Sequence, residues 1–319
     1  MDAVDFALYR CLARDGLARF WASRRMIDPR VTARELAEKV GLSEAGVRSR
    51  LRALRRAGFL RGSSVSVNPS LFGTTLSVAE VPVSTPREAD RMFRDLAVVD
   101  GLVFARDLMD EEDRKLTVYF VSETPAATAR RTSLLRRLAP GGLVRGPRPY
   151  WIPPCERAMT PLDWKLLRVF RERPDASSSE IAAAAGLSLK TTTRRIGPLL
   201  DSRACWWSHS SDSDEWPLAL LQLSVRSEAA ALAAGREAAA RGEGWIPVAA
   251  DGLGVPPGAG TRSVAGLVPV TTPSALEATV RRMLAIDGVE DVHRTFGLRS
   301  AVFPQWVDEQ IASRSALRA

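Results

Sequence analysis

One pattern of helix signals occurs twice in this chain, and that repetition constrains the fold more than any other feature. In the first copy Thr32 to Glu35 is a T-x-x-E capping box that opens a short helix, with Leu36 and Val40 on its buried face. Gly41 stops the helix, because glycine tolerates the left-handed conformation of a tight turn. Ser43 caps a second helix, on which Val47, Leu51 and Leu54 recur as one apolar face. Arg48, Ser49, Arg52 and Arg55 lie mostly elsewhere on its surface, and Gly58 ends it. Two short helices joined by a Gly-Leu-Ser turn, the second amphipathic and basic, describe a helix-turn-helix.

The pattern begins again at Thr160, with Pro161 at the first helical position. Leu162, Leu166, Val169 and Phe170 repeat the spacing of Val4, Leu8, Cys11 and Leu12. Ser177 to Glu180 is a second capping box, and Gly186-Leu187-Ser188 repeats Gly41-Leu42-Ser43. Ile196 and Leu199 fall where Leu51 and Leu54 fell. A duplication of this detail is hard to obtain by chance.

The copies are not equal. Residues 1–73 hold 14 Lys and Arg against 7 Asp and Glu, nearly the whole of the chain's net charge of +8. Residues 160–211 hold 8 against 5. A local basic excess is the electrostatic footprint of phosphate binding. In the second copy Gly197-Pro198 falls inside the second helix, where a proline is expected to kink or shorten it. After the first copy, FLRGSSVSVNPSLFG reads as a β-hairpin wing turning near Gly62-Ser63 and closed by Asn68-Pro69. The corresponding CWWSHSSDSDEW is acidic and serine-rich, with Trp206 and Trp207 as packing residues.

Each copy is followed by a segment of different character. Residues 74–151 alternate as strand, helix, strand, strand, helix, strand, with Leu116, Val118 and Phe120 on one strand face. This order is the split βαβ of a ferredoxin-like fold. Residues 216–297 repeat the order, with a Gly/Pro loop at DGLGVPPGAGT, and FPQWVDEQIASR follows as a C-terminal helix. The chain is thus expected to be α+β: two winged helix-turn-helix domains (1–73 and 158–212) and two ferredoxin-like βαββαβ domains (74–152 and 213–319) in tandem.

Several classes are excluded. No apolar run approaches the ~18 residues that span a bilayer, and MDAVDFALYR lacks the basic and apolar regions of a secretory signal, so a cytoplasmic location is expected. Cys11, Cys155 and Cys205 are far apart and odd in number, which indicates neither a disulfide framework nor a zinc site; Cys11 reads as core filler. The chain has no P-loop, no G-x-G-x-x-G after a strand and no metal-ligand cluster. No cofactor, metal or catalytic residue is assigned.

A winged helix-turn-helix followed by βαββαβ resembles the Lrp/AsnC family of transcription regulators, here as a tandem fusion of two such units. The likeness is carried by Val4-Asp5, Glu35-Leu36-Ala37, Val40-Gly41-Leu42-Ser43, Arg50-Leu51 with Leu54, Gly58-Phe59-Leu60-Arg61-Gly62, and Asn68-Pro69 to Leu71-Phe72-Gly73. It implies a sequence-specific regulator whose partner is double-stranded DNA. The family also binds small effectors, often amino acids, near a Gly-Asp turn between the middle strands. Here those positions read Met109-Asp110-Glu111-Glu112-Asp113 and Asp251-Gly252 through Thr261, so no effector residue is carried over.

On this reading the second helix of the first copy enters the major groove. Ser43, Glu44, Ala45 and Ser49 face base edges or nearby phosphates, Arg48 and Arg52 reach guanine or phosphate, and Arg61 on the wing reaches the backbone. Lys190, Thr193 and Arg194 are the equivalents in the second copy. The βαββαβ units are expected to pair through their sheets, within one chain as a pseudo-dimer or between chains as a homodimer. A further reading makes the second helix-turn-helix an assembly surface only, which Gly197-Pro198 favours.

The alternative is an enzyme. The same architecture, also as fusions, resembles the sirohaem decarboxylases, which act on a tetrapyrrole. Such chemistry needs positioned acids, and this chain has only His209 and His293. The His-Asn-Tyr type stretch of that family is replaced by Val103-Phe104-Ala105-Arg106.

Overall fold

The start signals of both short helices close as reciprocal hydrogen bonds. The Thr32 amide donates to Glu35 Oε2 at 2.7 Å while the Glu35 amide donates to Thr32 Oγ1 at 3.2 Å. Ser177 and Glu180 repeat the box at 2.7 and 3.3 Å. Gly41 and Gly186 then take φ of +70° and +62°, which a side chain would strain.

The computed structural model describes residues 4–5, 7–9, 11–12, 32–58, 60–152, 154–211, 218–240, 246–249, 262–270 and 272–316. The described residues between 4 and 12 are helical (α1) and are followed by α2 (Ala33–Val40), α3 (Glu44–Arg56) and β1 (Leu60–Val67). Next come β2 (Thr75–Pro82), α4 (Pro86–Asp95), β3 (Leu102–Met109), β4 (Arg114–Ser122), α5 (Pro125–Leu138) and β5 (Arg145–Pro149). The second half holds α6 (Pro161–Glu172), α7 (Ser178–Ala185), α8 (Leu189–Asp201) and β6 (Cys205–Ser211). It ends with β7 (Leu218–Val225), α9 (Glu228–Ala240), β8 (Ile246–Ala249), β9 (Ser263–Pro269), α10 (Pro273–Leu284), β10 (Val289–Val302) and α11 (Gln305–Ala316). The fold is α+β, with both helix-turn-helix copies and both βαββαβ copies present. By contacts it forms two units: Met1–Leu71 with Pro153–Asp212 and Asp308–Ala319, and Phe72–Ile152 with Ser213–Val307.

In the first unit the wing departs from expectation. Residues 60–67 form one continuous strand with no turn at Gly62-Ser63. β1 pairs antiparallel with β6 of the second copy, from Leu60 opposite Ser211 to Val67 opposite Cys205, with a bulge between Leu60 and Gly62. Alternation puts Val65 and Val67 inward, and the other copy supplies the hydrogen-bonding edge that a hairpin would have supplied itself. Asn68 locks the strand end: its amide donates to Ala204 O at 2.9 Å and its side chain to Arg203 O at 2.9 Å. The expected interruption of α8 is also absent, since α8 and α3 are both 13 residues long. Pro198 sits near the C-terminal end, where Leu199 and Leu200 are buried and the Ser202 amide donates to Pro198 O at 3.0 Å. Packing there outweighs the one hydrogen bond a proline removes. The C-terminal helix, expected to close the second βαββαβ region, meets this unit from Asp308 onward: Asp308 pairs with Arg171, and Arg314 lies over the Trp164 ring.

The second unit is one eight-stranded antiparallel sheet in the order β5-β2-β4-β3-β10-β7-β9-β8. Each copy keeps the ferredoxin-like order, and β3 of the first joins β10 of the second. β10 extends past residue 297, the expected end of the second βαββαβ region, to Val302: its first part pairs with β7, and its last part pairs with β3, with a register shift between Gly297 and Arg299. One core gathers Ala89, Met92, Leu96, Leu116, Val118 and Phe120; the other gathers Leu221, Leu223, Ala234, Val264, Val280 and Met283. Both outer strands carry prolines, Pro147 and Pro149 on β5 and Pro247 on β8, which blunt an edge by removing N–H donors. Gly101, just before β3, has φ +73°, which a side chain would strain, and a Cβ there would crowd the buried Arg131 guanidinium at 2.8 Å.

Candidate nucleic-acid interface

Ser43 starts α3, its Oγ accepting from the Gly46 amide at 3.1 Å. Val47 and Leu54 are buried, which turns the opposite side of the helix to solvent. Ala45, Arg48, Ser49, Arg52 and Arg56 make an exposed stripe at helical spacing, and Arg55 is exposed beside it. Glu44, half-buried, holds Arg48 across one turn at 2.7 Å. Both side chains are solvated, so this pair is weak and yields readily to a phosphate. Arg52, Arg55 and Arg56 have no ion pair among the described residues. Six of the seven first-copy positions expected to meet DNA therefore lie along α3 or at its cap. The seventh, Arg61, lies in β1 at the bulge, and its side chain is outside the described residues.

An ion pair between two helices fixes how α3 is presented. Arg50, seven residues after the capping serine, donates to Asp5 on α1 at 2.8 Å. Arg195 stands seven residues after Ser188 and donates to Asp163 on α6 at 2.9 Å. Both copies thus tie the first helix to the last with the same two residue types. The signal was readable, because each copy has an aspartate directly after the first apolar residue of its opening helix. Asp163 is fully buried and does more: it accepts from the Thr160 amide at 3.0 Å, from Thr160 Oγ1 at 2.7 Å and from Arg157 at 3.1 Å. Burial pushes its carboxyl up, but the Thr160 hydrogen bonds and the cations Arg195 and Arg157 outweigh burial and hold it below the usual range.

On α8 the stripe carries Lys190, Thr193 and Arg194, all exposed, with Ser188 capping the helix through the Thr191 amide at 3.1 Å. Gly197 stands where α3 has Arg52, buried Leu200 where it has Arg55, and Asp201 where it has Arg56. The second face is therefore poorer in cations.

The family described as winged helix-turn-helix DNA-binding matches residues 26–61 and again 159–202. The HTH-type transcriptional regulator LrpA of Mycobacterium tuberculosis is 36% identical over 105 residues, covering 32% of this chain and 61% of that protein. LrpA of Pyrococcus horikoshii is 39% identical over 81 residues, 25% of this chain and 55% of that one. Over these stretches the chain is similar to regulators of the Lrp type. It spans under two thirds of the length of these relatives. Among solved structures, the siroheme decarboxylase NirDL superposes with a TM-score of 0.49 at 11% identity, covering 97% of this chain and 98% of that one. The M. tuberculosis leucine response regulatory protein LrpA superposes with a TM-score of 0.31 at 26% identity, covering 47% and 90%. Neither superposition is close enough to carry an argument about function.

The turn between the middle strands of the first βαββαβ unit, where the resemblance placed an effector site, carries a cluster of acids. Here Asp110 closes that turn upon itself, accepting from the Glu112 and Asp113 amides at 3.0 and 2.9 Å and from Lys115 at 2.6 Å. Burial raises the Asp110 carboxyl, yet these donors hold it far below the usual range. From β10, His293 Nε2 stands 3.6 Å from Asp110, and Arg294 pairs with Glu111 and Glu277. The second copy's Gly/Pro loop and the His209 side chain lie outside the described residues. On β3, Phe104 packs against Tyr119 at 5.8 Å between ring centroids, Arg106 lies over Phe104, and Ala105 is buried. Cys11 and Cys155 are half-buried free thiols; Cys205 is buried, and burial pushes its thiol up to about 12. No helix among the described residues is long and apolar enough to cross a membrane.

Proposed function

We propose that this chain is a sequence-specific transcriptional regulator that binds double-stranded DNA, acting in the cytoplasm. The observation that carries the reading is the exposed stripe Ala45, Arg48, Ser49, Arg52 and Arg56 on a serine-capped helix whose opposite face is pinned by Val47, Leu54 and the Arg50–Asp5 pair. A helix of this kind enters the major groove by its N-terminal part. Ser43, Glu44, Ala45 and Ser49 then lie nearest base edges, and Arg48, Arg52 and the wing residue Arg61 supply guanine or phosphate contacts. Lys190, Thr193 and Arg194 play the same part in the second copy. Residues 74–152 and 213–319 serve assembly and the sensing of a small effector of the amino-acid class.

Fluorescence anisotropy tests this with DNA from upstream of the protein's own gene, an unrelated fragment and a salt series. The reading expects tighter binding to the upstream DNA and a steep linear fall of log K with log salt. Weak and equal binding to both fragments, with tetrapyrrole absorbance in the purified protein, would favour the enzyme on the same architecture.

A further inference from the structure

The strands that join the two helix-turn-helix copies carry a symmetry. Counted from the Gly-Leu-Ser turns, Ser63 and Ser208 hold the same place, as do Ser64 and His209. In the β1–β6 ladder Ser63 lies opposite His209, and Ser64 opposite Ser208. Exchanging the copies turns one pair into the other. Gly62 opposite Ser210 and Val65 opposite Trp207 are a second set of mates, since Trp207 and Ser210 hold the places of Gly62 and Val65. These four central pairs map onto one another, while the bulge between Leu60 and Gly62 displaces the outer pairs, and such self-mapping marks an isologous contact about a local two-fold axis, here passing between Ser63 and Ser64. The contact between β3 and β10 lacks this property, because it sets the second strand of one βαββαβ copy against the fourth of the other.

We infer that one chain presents α3 and α8 about this axis to a single duplex, and that the DNA it selects is an inverted repeat with unequal halves. The inference rests on the regulator reading above. A two-fold pair of recognition helices reads its half-sites in opposite orientation, so operator symmetry mirrors protein symmetry. The halves differ because the faces differ. α3 offers Arg48, Arg52, Arg55 and Arg56, whereas α8 offers Lys190 and Arg194, with Asp201 in the place of Arg56. The half under α3 is held and read by more contacts, and the half under α8 is less constrained.

The test is selection by the full chain from a random duplex library of about 40 base pairs, long enough for two half-sites one or two helical turns apart. Enriched sequences are read, and the mass of the complex is measured in solution. The inference expects an imperfect inverted repeat, one half more sharply defined, bound by one chain per duplex. In the double variant Lys190→Ala with Arg194→Ala, the less defined half loses its remaining preference while the other half persists. A direct repeat, a lone half-site, or a symmetric repeat needing two chains overturns this inference and leaves the regulator reading standing. No enrichment of any sequence overturns that reading, and this inference falls with it.

Discussion

The two helix-turn-helix copies share their capping boxes, left-handed glycines, serine N-caps and the Asp–Arg tie between first and last helix, and they part company on the face turned to solvent. What is common is what the fold needs. What differs is what a partner would touch: Arg52, Ala53 and Arg56 in one against Gly197, Pro198 and Asp201 in the other, with buried Leu200 in the place of exposed Arg55. The second copy compensates by a tighter frame, for Asp163 is fully buried and holds two arginines, while Asp5 is partly exposed. One copy is built to present charge and the other to hold still.

Substitutions at five positions probe that contrast, beginning with the largest effect. Asp163→Ala strands Arg157 and Arg195 in a poorly solvated site and is expected to cost about 3 kcal/mol, against about 1 kcal/mol for Asp5→Ala, read from denaturant unfolding. Equal losses would mean that the two ties are interchangeable. The same carboxylate sets an acid limit. Because its folded pKa lies below the unfolded value, its contribution is complete above the unfolded carboxylate range near ~4 and fades as pH falls through the folded pKa. Wild type and Asp163→Asn should therefore differ most at neutral pH and converge in acid; a gap that is constant with pH would show that Asp163 is not ionised in the fold.

Smaller and symmetric is the effect of the caps. Ser43→Ala and Ser188→Ala should each cost about 1 kcal/mol, since both serines accept one amide at 3.1 Å. A difference well beyond that in thermal unfolding would break the equivalence of the copies. Smallest is Pro198→Ala, which installs the residue of the first copy. It should stabilise by less than about 1 kcal/mol, because the proline sits in the last turn, where packing already holds the helix.

Much of this was legible in the sequence, and the parts that were not share a cause. Capping boxes, turn glycines and apolar spacing are local, so Thr32–Glu35, Gly41 and Leu116–Phe120 read correctly. The strand at Leu60–Val67 reads locally as half of a hairpin because its partner, Cys205–Ser211, lies far along the chain and no local rule names it. The length of β10 beyond residue 297 is illegible for the same reason: its last residues are a strand only because β3 is there to receive them. Pro198 was over-weighted because propensity acts locally and the burial of Leu199 and Leu200 does not. On the candidate face the exposed positions of α3 followed from period alone. The Asp5–Arg50 tie was written in both copies but emerges only when their positions are compared.

The proposed division of labour is that the α3 face carries recognition and the α8 face assists. Its most direct test is the salt dependence of binding to one preferred duplex and one unrelated duplex, for the wild type, for Arg48→Ala with Arg52→Ala, and for Lys190→Ala with Arg194→Ala. The first pair is expected to lower the salt slope by about 2 and abolish the preference, while the second lowers the slope and leaves the preference largely intact. Unchanged binding in both, or a preference lost only with Lys190 and Arg194, would contradict it.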